Sequence, residues 1–150
     1  MKAGRRKMPE GLPDFTQVDN LTLDTFILNL KMRYESEQIY SYIGESLIAV
    51  NPYEEMKIFG DDVIETYKGS ELFQNAPHPF SIADAAYQLV TKTRDDHCIV
   101  ATGESGSGKE CSNAVSIDFL SLKFFDKFYN TGESICPMVQ FGTKHSQTLK

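Results

Sequence analysis

The stretch His97-Cys98-Ile99-Val100-Ala101-Thr102-Gly103-Glu104-Ser105-Gly106-Ser107-Gly108-Lys109 constrains this chain more than any other. Cys98 to Ala101 is a short apolar run that reads as a buried strand. It passes directly into a glycine-rich turn ending in Gly108-Lys109. Strand, loop and helix start, in that order, form the context a phosphate-binding loop requires. Backbone N–H groups must close around phosphate oxygens there, and a Cβ would obstruct the approach. The helix beyond presents its positive dipole end to the anion. Lys109 then supplies a point charge for the β- and γ-phosphates.

The following residue departs from the motif. G-x-x-x-x-G-K-[ST] ends in a hydroxyl that ligates Mg²⁺, and position 110 is Glu110. A carboxylate has no proton to donate at neutral pH. Two like charges about 4 Å apart repel by ~4 kcal/mol at an effective dielectric of 20. No metal ligand is therefore assigned, and weakened Mg·ATP binding is expected. A Glu–Mg²⁺ contact would recover part of that loss.

Three stretches carry a family resemblance, the glycine loop among them. Tyr40-Ser41-Tyr42-Ile43-Gly44 leading to Val50-Asn51-Pro52-Tyr53 resembles the Y-x-Y-I-G…V-x-V-N-P-Y segment of myosin motor domains. Pro79-Phe80-Ser81-Ile82-Ala83-Asp84-Ala85-Ala86-Tyr87 is similar to the helix before the myosin phosphate loop. Thr102 to Lys109 resembles T-G-E-S-G-A-G-K, with Ser107 replacing alanine. The motifs occur in family order between about residues 14 and 109. The short lead-in looks most like a class I (unconventional, single-headed) myosin.

The resemblance implies an α/β fold: the incomplete N-terminal part of a P-loop NTPase, with a mixed central sheet flanked by helices. It implies nucleotide contacts from Gly103, Glu104, Ser105, Gly106, Ser107, Gly108 and Lys109, with Glu104 and Ser105 acting through backbone N–H groups. It also implies an adenine loop of Asn51, Pro52 and Phe59. Phe59 stands where the family has tyrosine; it keeps a stacking face and loses a hydroxyl. Glu55 takes a place that is often basic. Taken without the resemblance, Asn51-Pro52 is a strand-ending turn beside a packed Phe59. The implied cofactors are ATP and Mg²⁺, the implied partner is the actin filament, and the implied location is the cytoplasm and cytoskeleton.

After Lys109 the chain reads Glu110-Cys111-Ser112-Asn113-Ala114-Val115 and leaves the pattern. Nothing in the 150 residues resembles switch I or switch II, so no catalytic residue is assigned. The expected organisation is a disordered basic N-terminus at 1–11, a partial motor domain at 12–110, and an unrelated tail at 111–150. The function this supports is a truncated head of an actin-based, ATP-driven motor. The alternative is a noncatalytic fragment or interaction polypeptide from an alternative transcript or gene-model error.

Charge narrows the partners. Residues 1–110 carry 11 basic and 18 acidic side chains, and residues 111–150 carry four and three. An acidic motor portion argues against general nucleic-acid binding. No stretch approaches the roughly 20 apolar residues of a membrane span. Cys98, Cys111 and Cys136 have neither metal-ligand spacing nor a histidine cluster, and suit a reducing compartment. His78 and His145 show no partner of the kind a base or ligand needs. The Arg94 to His97 cluster reads as a solvated turn.

Local signals predict an extended segment over 12–20. A helix follows, capped by Thr22 or Asp24, with Leu23, Phe26, Ile27, Leu30 and Tyr34 as its core stripe. Strands are expected at Ile39–Ile43 and Leu47–Val50. A short helix capped by Asp61 or Asp62 runs to Tyr67, and a longer one capped by Ser81 runs to about Arg94. Residues 114–129 fit a strand or a helix. The chain after Asn130 is expected to be loop.

Overall fold

The computed structural model describes residues 10–131 and 139–145, with side chains described through Lys123 apart from Lys109, Glu110 and Asn113. The basic start, the expected loop around Pro137 and Cys136 lie outside the described residues.

The lead-in is more structured than its sequence suggests. Asp14 caps a single 3₁₀ turn, Phe15–Gln17, by accepting from the Thr16 N–H. Phe15 is buried and stacks on Phe26 at 4.5 Å. Helix α1, Leu23–Glu35, starts at Thr22 through a reciprocal capping box with Thr25. Such a box satisfies two N–H groups that a helix start otherwise leaves without partners.

The α1 stripe is not core. Leu23 is 72% exposed, Leu28 56% and Ile27 53%. Tyr34 is exposed as well, while Phe26 and Leu30 are half-buried. The inward residues are instead Asn29 and Arg33. Asn29 accepts from the Leu12 N–H at 2.7 Å and donates to the Leu12 carbonyl at 3.0 Å. Arg33 donates to the carbonyls of Gly11 and Tyr40 and to the Ser41 hydroxyl. The physical reason is backbone satisfaction. The lead-in and the first strand bring unpaired polar groups against α1, and only polar side chains can meet them.

Strands β1 (Tyr40–Ile43) and β2 (Ser46–Ala49) form an antiparallel hairpin with Tyr40 opposite Ala49. Gly44, at φ +57°, makes the turn. Helix α2, Asp61–Tyr67, is capped by Gly60 rather than by an aspartate. Asp61 and Asp62 fall inside its first turn, where carboxylates complement the dipole.

Helix α3, Pro79–Thr93, begins two residues earlier than Ser81. Pro79 occupies the first turn, where its missing N–H costs nothing. His78 provides the cap: its Nδ1 accepts from the Phe80 N–H at 3.1 Å. Arg94 ends the helix in the left-handed region.

Strand β3, His97–Gly103, leads through the glycine loop into helix α4, Lys109–Thr131. Residues 114–129 are therefore helical. Strand β4, Val139–His145, pairs parallel to β3 with His97 opposite Val139. Gly142 and His145 thus belong to a strand, not to a loop. The β1–β2 and β3–β4 pairs are separate two-stranded sheets among the described residues, in place of the single mixed sheet expected. Two helices, α2 and α3, separate the hairpin from β3 in the chain, and the described pairing of β3 is with β4.

The core lies where α3 meets α4. Phe80 stacks on Phe119 at 4.8 Å, and Tyr67, Ala83 and Leu120 close around them. Ile99 from β3 and Val115 from α4 pack at the margin. That contact holds the glycine loop between a strand and a helix that are both anchored.

Candidate nucleotide site

Two loops meet at the site. The first leaves β2 as Val50-Asn51-Pro52. The second joins β3 to α4. Asn51 Nδ2 donates to the Gly106 carbonyl at 2.7 Å, across 55 residues of chain. The Asn51 Oδ1 accepts from the Tyr53 N–H at 3.0 Å. Gly106 and Gly108 have φ of +79° and +86°, conformations that disfavour side chains. A Cβ at Gly108 would stand 3.6 Å from Asn51 Cγ, and one at Gly103 would lie 2.5 Å from Ser107 Oγ. The loop is further shaped by the Ser107 N–H donating to the Glu104 carbonyl at 3.2 Å.

Between the loops lies a cleft of about 750 Å³. Asn51, Pro52 and Phe59 line one side, and Ser107 and Gly108 line the other. The two sets of residues singled out in the sequence therefore share one cavity. Gly103, at the end of β3, and Glu104, Ser105 and Gly106 in the loop do not line the cleft. Lys109 and Glu110 are the first two residues of α4, and their side chains lie outside the description. The cleft is in the range of small-molecule sites, and much of its wall is apolar. Glu54, Glu55, Asp62 and Lys57 stand at its wall as well.

Phe59 is half-exposed. Its ring centroid lies 5.4 Å from His78 and 6.3 Å from Phe80. One side of the ring is thus fixed by packing while the residue still lines the cleft. Beneath it, His78 is 95% buried and stacked on Tyr67 at 4.9 Å. It does have partners, contrary to expectation. Because Nδ1 accepts from an N–H, Nε2 carries the proton and donates to the Ile58 carbonyl at 3.0 Å. Burial lowers its pKa from 6.5 to about 4. His78 is a neutral cap and packing residue.

Tyr40, Cys111, Ser112 and Val115 also line the cleft, and sequence reasoning missed them. Burial pushes the Tyr40 hydroxyl pKa up, against a hydrogen bond with Ser112 that lowers it. A signal existed for the α4 members. In a helix starting at Lys109, positions 111, 112 and 115 follow Gly108 at i+3, i+4 and i+7, on one face. Tyr40 had none, because its place depends on how the hairpin docks. Among the described residues no cluster of His, Cys, Asp and Glu is arranged to hold a metal ion, and no helix is long and apolar enough to cross a membrane.

A glycine loop between strand and helix thus faces an Asn-Pro loop across one shared cleft. The chain matches the myosin head (motor domain) family over residues 12–131 and belongs to that family. It is 54% identical over 99 residues to unconventional myosin-Id of Danio rerio, covering 66% of this chain and 10% of that protein. It is 41% identical over 111 residues to unconventional myosin ID of Drosophila melanogaster, covering 74% and 11%. With unconventional myosin-Ig of Mus musculus the identity is 46% over 99 residues, covering 66% and 10%. The homologues are class I myosins, and the chain spans about a tenth of their length. The family match continues past the glycine loop into α4.

Proposed function

We propose that this chain forms the nucleotide-binding part of an actin-based motor head and takes ATP in the cleft between the two loops. The base lies against Pro52 and Phe59. The phosphates lie on the loop from Gly103 through Glu104, Ser105, Gly106, Ser107 and Gly108 to Lys109. The observation that carries this reading is the joining of the two motifs at one cleft by the Asn51–Gly106 hydrogen bond. Backbone N–H groups of the loop bind the phosphate oxygens, and the Lys109 ammonium offsets their charge. Mg²⁺, when bound, supplies further neutralisation of the β- and γ-phosphates. Glu110 lacks the hydroxyl that usually holds it, so metal adds little affinity here. Actin filaments are the partner proposed for the whole motor, and the cytoskeleton its location. The proposed motor portion covers 12–110 and, since the family match runs to residue 131, extends into α4.

Titration with a fluorescent ATP analogue, with and without Mg²⁺, tests this. Binding is expected from the unmodified chain and is lost in Lys109→Ala. Glu110→Thr should raise the Mg²⁺-dependent gain about tenfold, or ~1.4 kcal/mol. Equal binding by the unmodified chain and Lys109→Ala would reject the phosphate-loop assignment.

A further inference from the structure

We infer that Asn51 is a positioning residue for the phosphate loop and does not read the base. The inference rests on the nucleotide reading above and assigns Asn51 a different task within it. Both halves of its amide are already engaged. A backbone N–H can only donate and a carbonyl can only accept, so the partners themselves fix the amide's orientation. Oδ1 faces the Tyr53 N–H at 3.0 Å, and Nδ2 faces the Gly106 carbonyl at 2.7 Å. The first bond turns the chain at Asn51-Pro52. The second reaches the glycine loop.

The contact falls at a sensitive point. Gly106 and Gly108 carry no side chain and stand at φ +79° and +86°. The side chain of Asn51 is also the nearest group to the space a Cβ would take at Gly108, from 3.6 to 3.8 Å. Asn51 therefore bonds the loop at Gly106 and bounds the space beside Gly108. Fixing the Gly106 carbonyl orients its own planar peptide, whose N–H belongs to Ser107. That N–H turns back to the Glu104 carbonyl in this structure. An aspartate could keep the Tyr53 bond but would set an oxygen against the Gly106 carbonyl. The position needs an amide because it must accept on one side and donate on the other.

Two variants isolate the clasp. In Asn51→Ser the hydroxyl can still accept from the Tyr53 N–H, in the manner of a serine turn, but cannot reach Gly106. Asn51→Ala loses both bonds. Binding of tripolyphosphate and of adenosine is measured separately by calorimetry on the full chain. Exchange of the Ser107 amide in nucleotide-free protein is followed by NMR. Both variants should weaken tripolyphosphate about fivefold, the effect of one ordinary hydrogen bond, and leave adenosine unchanged. The Ser107 amide should exchange faster in both. A loss confined to adenosine, with tripolyphosphate affinity and Ser107 exchange unchanged, would overturn the inference and make Asn51 a base contact. If the unmodified chain binds neither ligand, the nucleotide reading fails. The clasp is then decided by Ser107 exchange alone: faster exchange in both variants supports it, and unchanged exchange overturns it.

Discussion

His78 shows how one side chain ties a helix start to a loop and to the site above it. It caps α3 through Phe80, holds the Ile58 carbonyl, and lies under Phe59. These roles require the neutral ring, since a proton on Nδ1 would abolish the cap. Burial lowers its pKa from 6.5 to about 4, so the unfolded chain takes the proton first as pH falls. The stabilisation is full above pH 6.5 and declines as the pH moves toward 4. About 2 kcal/mol should be lost between pH 7.5 and pH 5 from this group. Urea denaturation at the two pH values measures it. His78→Asn keeps a capping oxygen without a titrating ring, so the variant should show a smaller pH-dependent loss. An unchanged loss in His78→Asn would assign the effect to other groups. Nothing in the sequence marked His78, because the signal for a cap is a short oxygen-bearing side chain, and Ser81 offered one nearby. Pro79 was the better cue, since proline favours the first helical turn.

Among the elements, α3 and α4 carry the fold, and a buried ion pair sits between them. Lys123 Nζ lies 2.5 Å from Asp84 Oδ1, with Asp84 fully buried. Asp84 also accepts from the Gly69 N–H at 3.2 Å and from Gln88 Nε2 at 2.6 Å. Lys123 lies over the rings of Tyr87 and Phe119. Removing one partner of such a pair leaves an uncompensated charge in the interior. Lys123→Met should therefore cost about 3 kcal/mol. Asp84→Asn added to Lys123→Met removes the charge while keeping an oxygen for Gly69, and should recover most of the loss. Urea denaturation of both variants decides this; a double variant no more stable than Lys123→Met would refute the charge argument. The two helices differed in legibility. Periodicity put Ile82, Ala86, Leu89 and Val90 on one face of α3; Ala86 and Val90 are buried, but Ile82 is half-buried, Leu89 is 48% exposed, and Ala83 is buried instead. In α4 the aromatic residues gave no clear face, and the helix was decided by Phe119 and Leu120 meeting Phe80 and by Lys123 meeting Asp84. In α1 the period was legible and the facing was not. Asn29 and Arg33 point inward because distant backbone needs them, and a hydropathy pattern does not record that need.

At the scale of the whole molecule, the glycine loop was visible in the sequence because its signals are local: glycines, a lysine, a strand before and a helix after. The joining of Asn51 to Gly106 was not, since it depends on the docking of a hairpin against a distant loop. The same distinction governs the surface. Periodicity marks Leu23 and Ile27 as residues that belong against something, yet no described element covers them. Leu28 adjoins them at 56% exposure. Contiguous exposed apolar residues of this size drive association. The chain should therefore self-associate as concentration rises, through this face of α1. Leu23→Glu combined with Ile27→Lys tests the face directly. The pair stands at i and i+4 with the acid on the N-terminal side, the favourable order for a helix. Exposed positions change stability little, so the unfolding free energy should change by no more than about 0.5 kcal/mol. Sedimentation velocity over a concentration series should show the unmodified chain growing in mass while the double variant remains monomeric. Equal association by both would place the contact elsewhere, with Val100 on β3, 52% exposed, the next residue to replace.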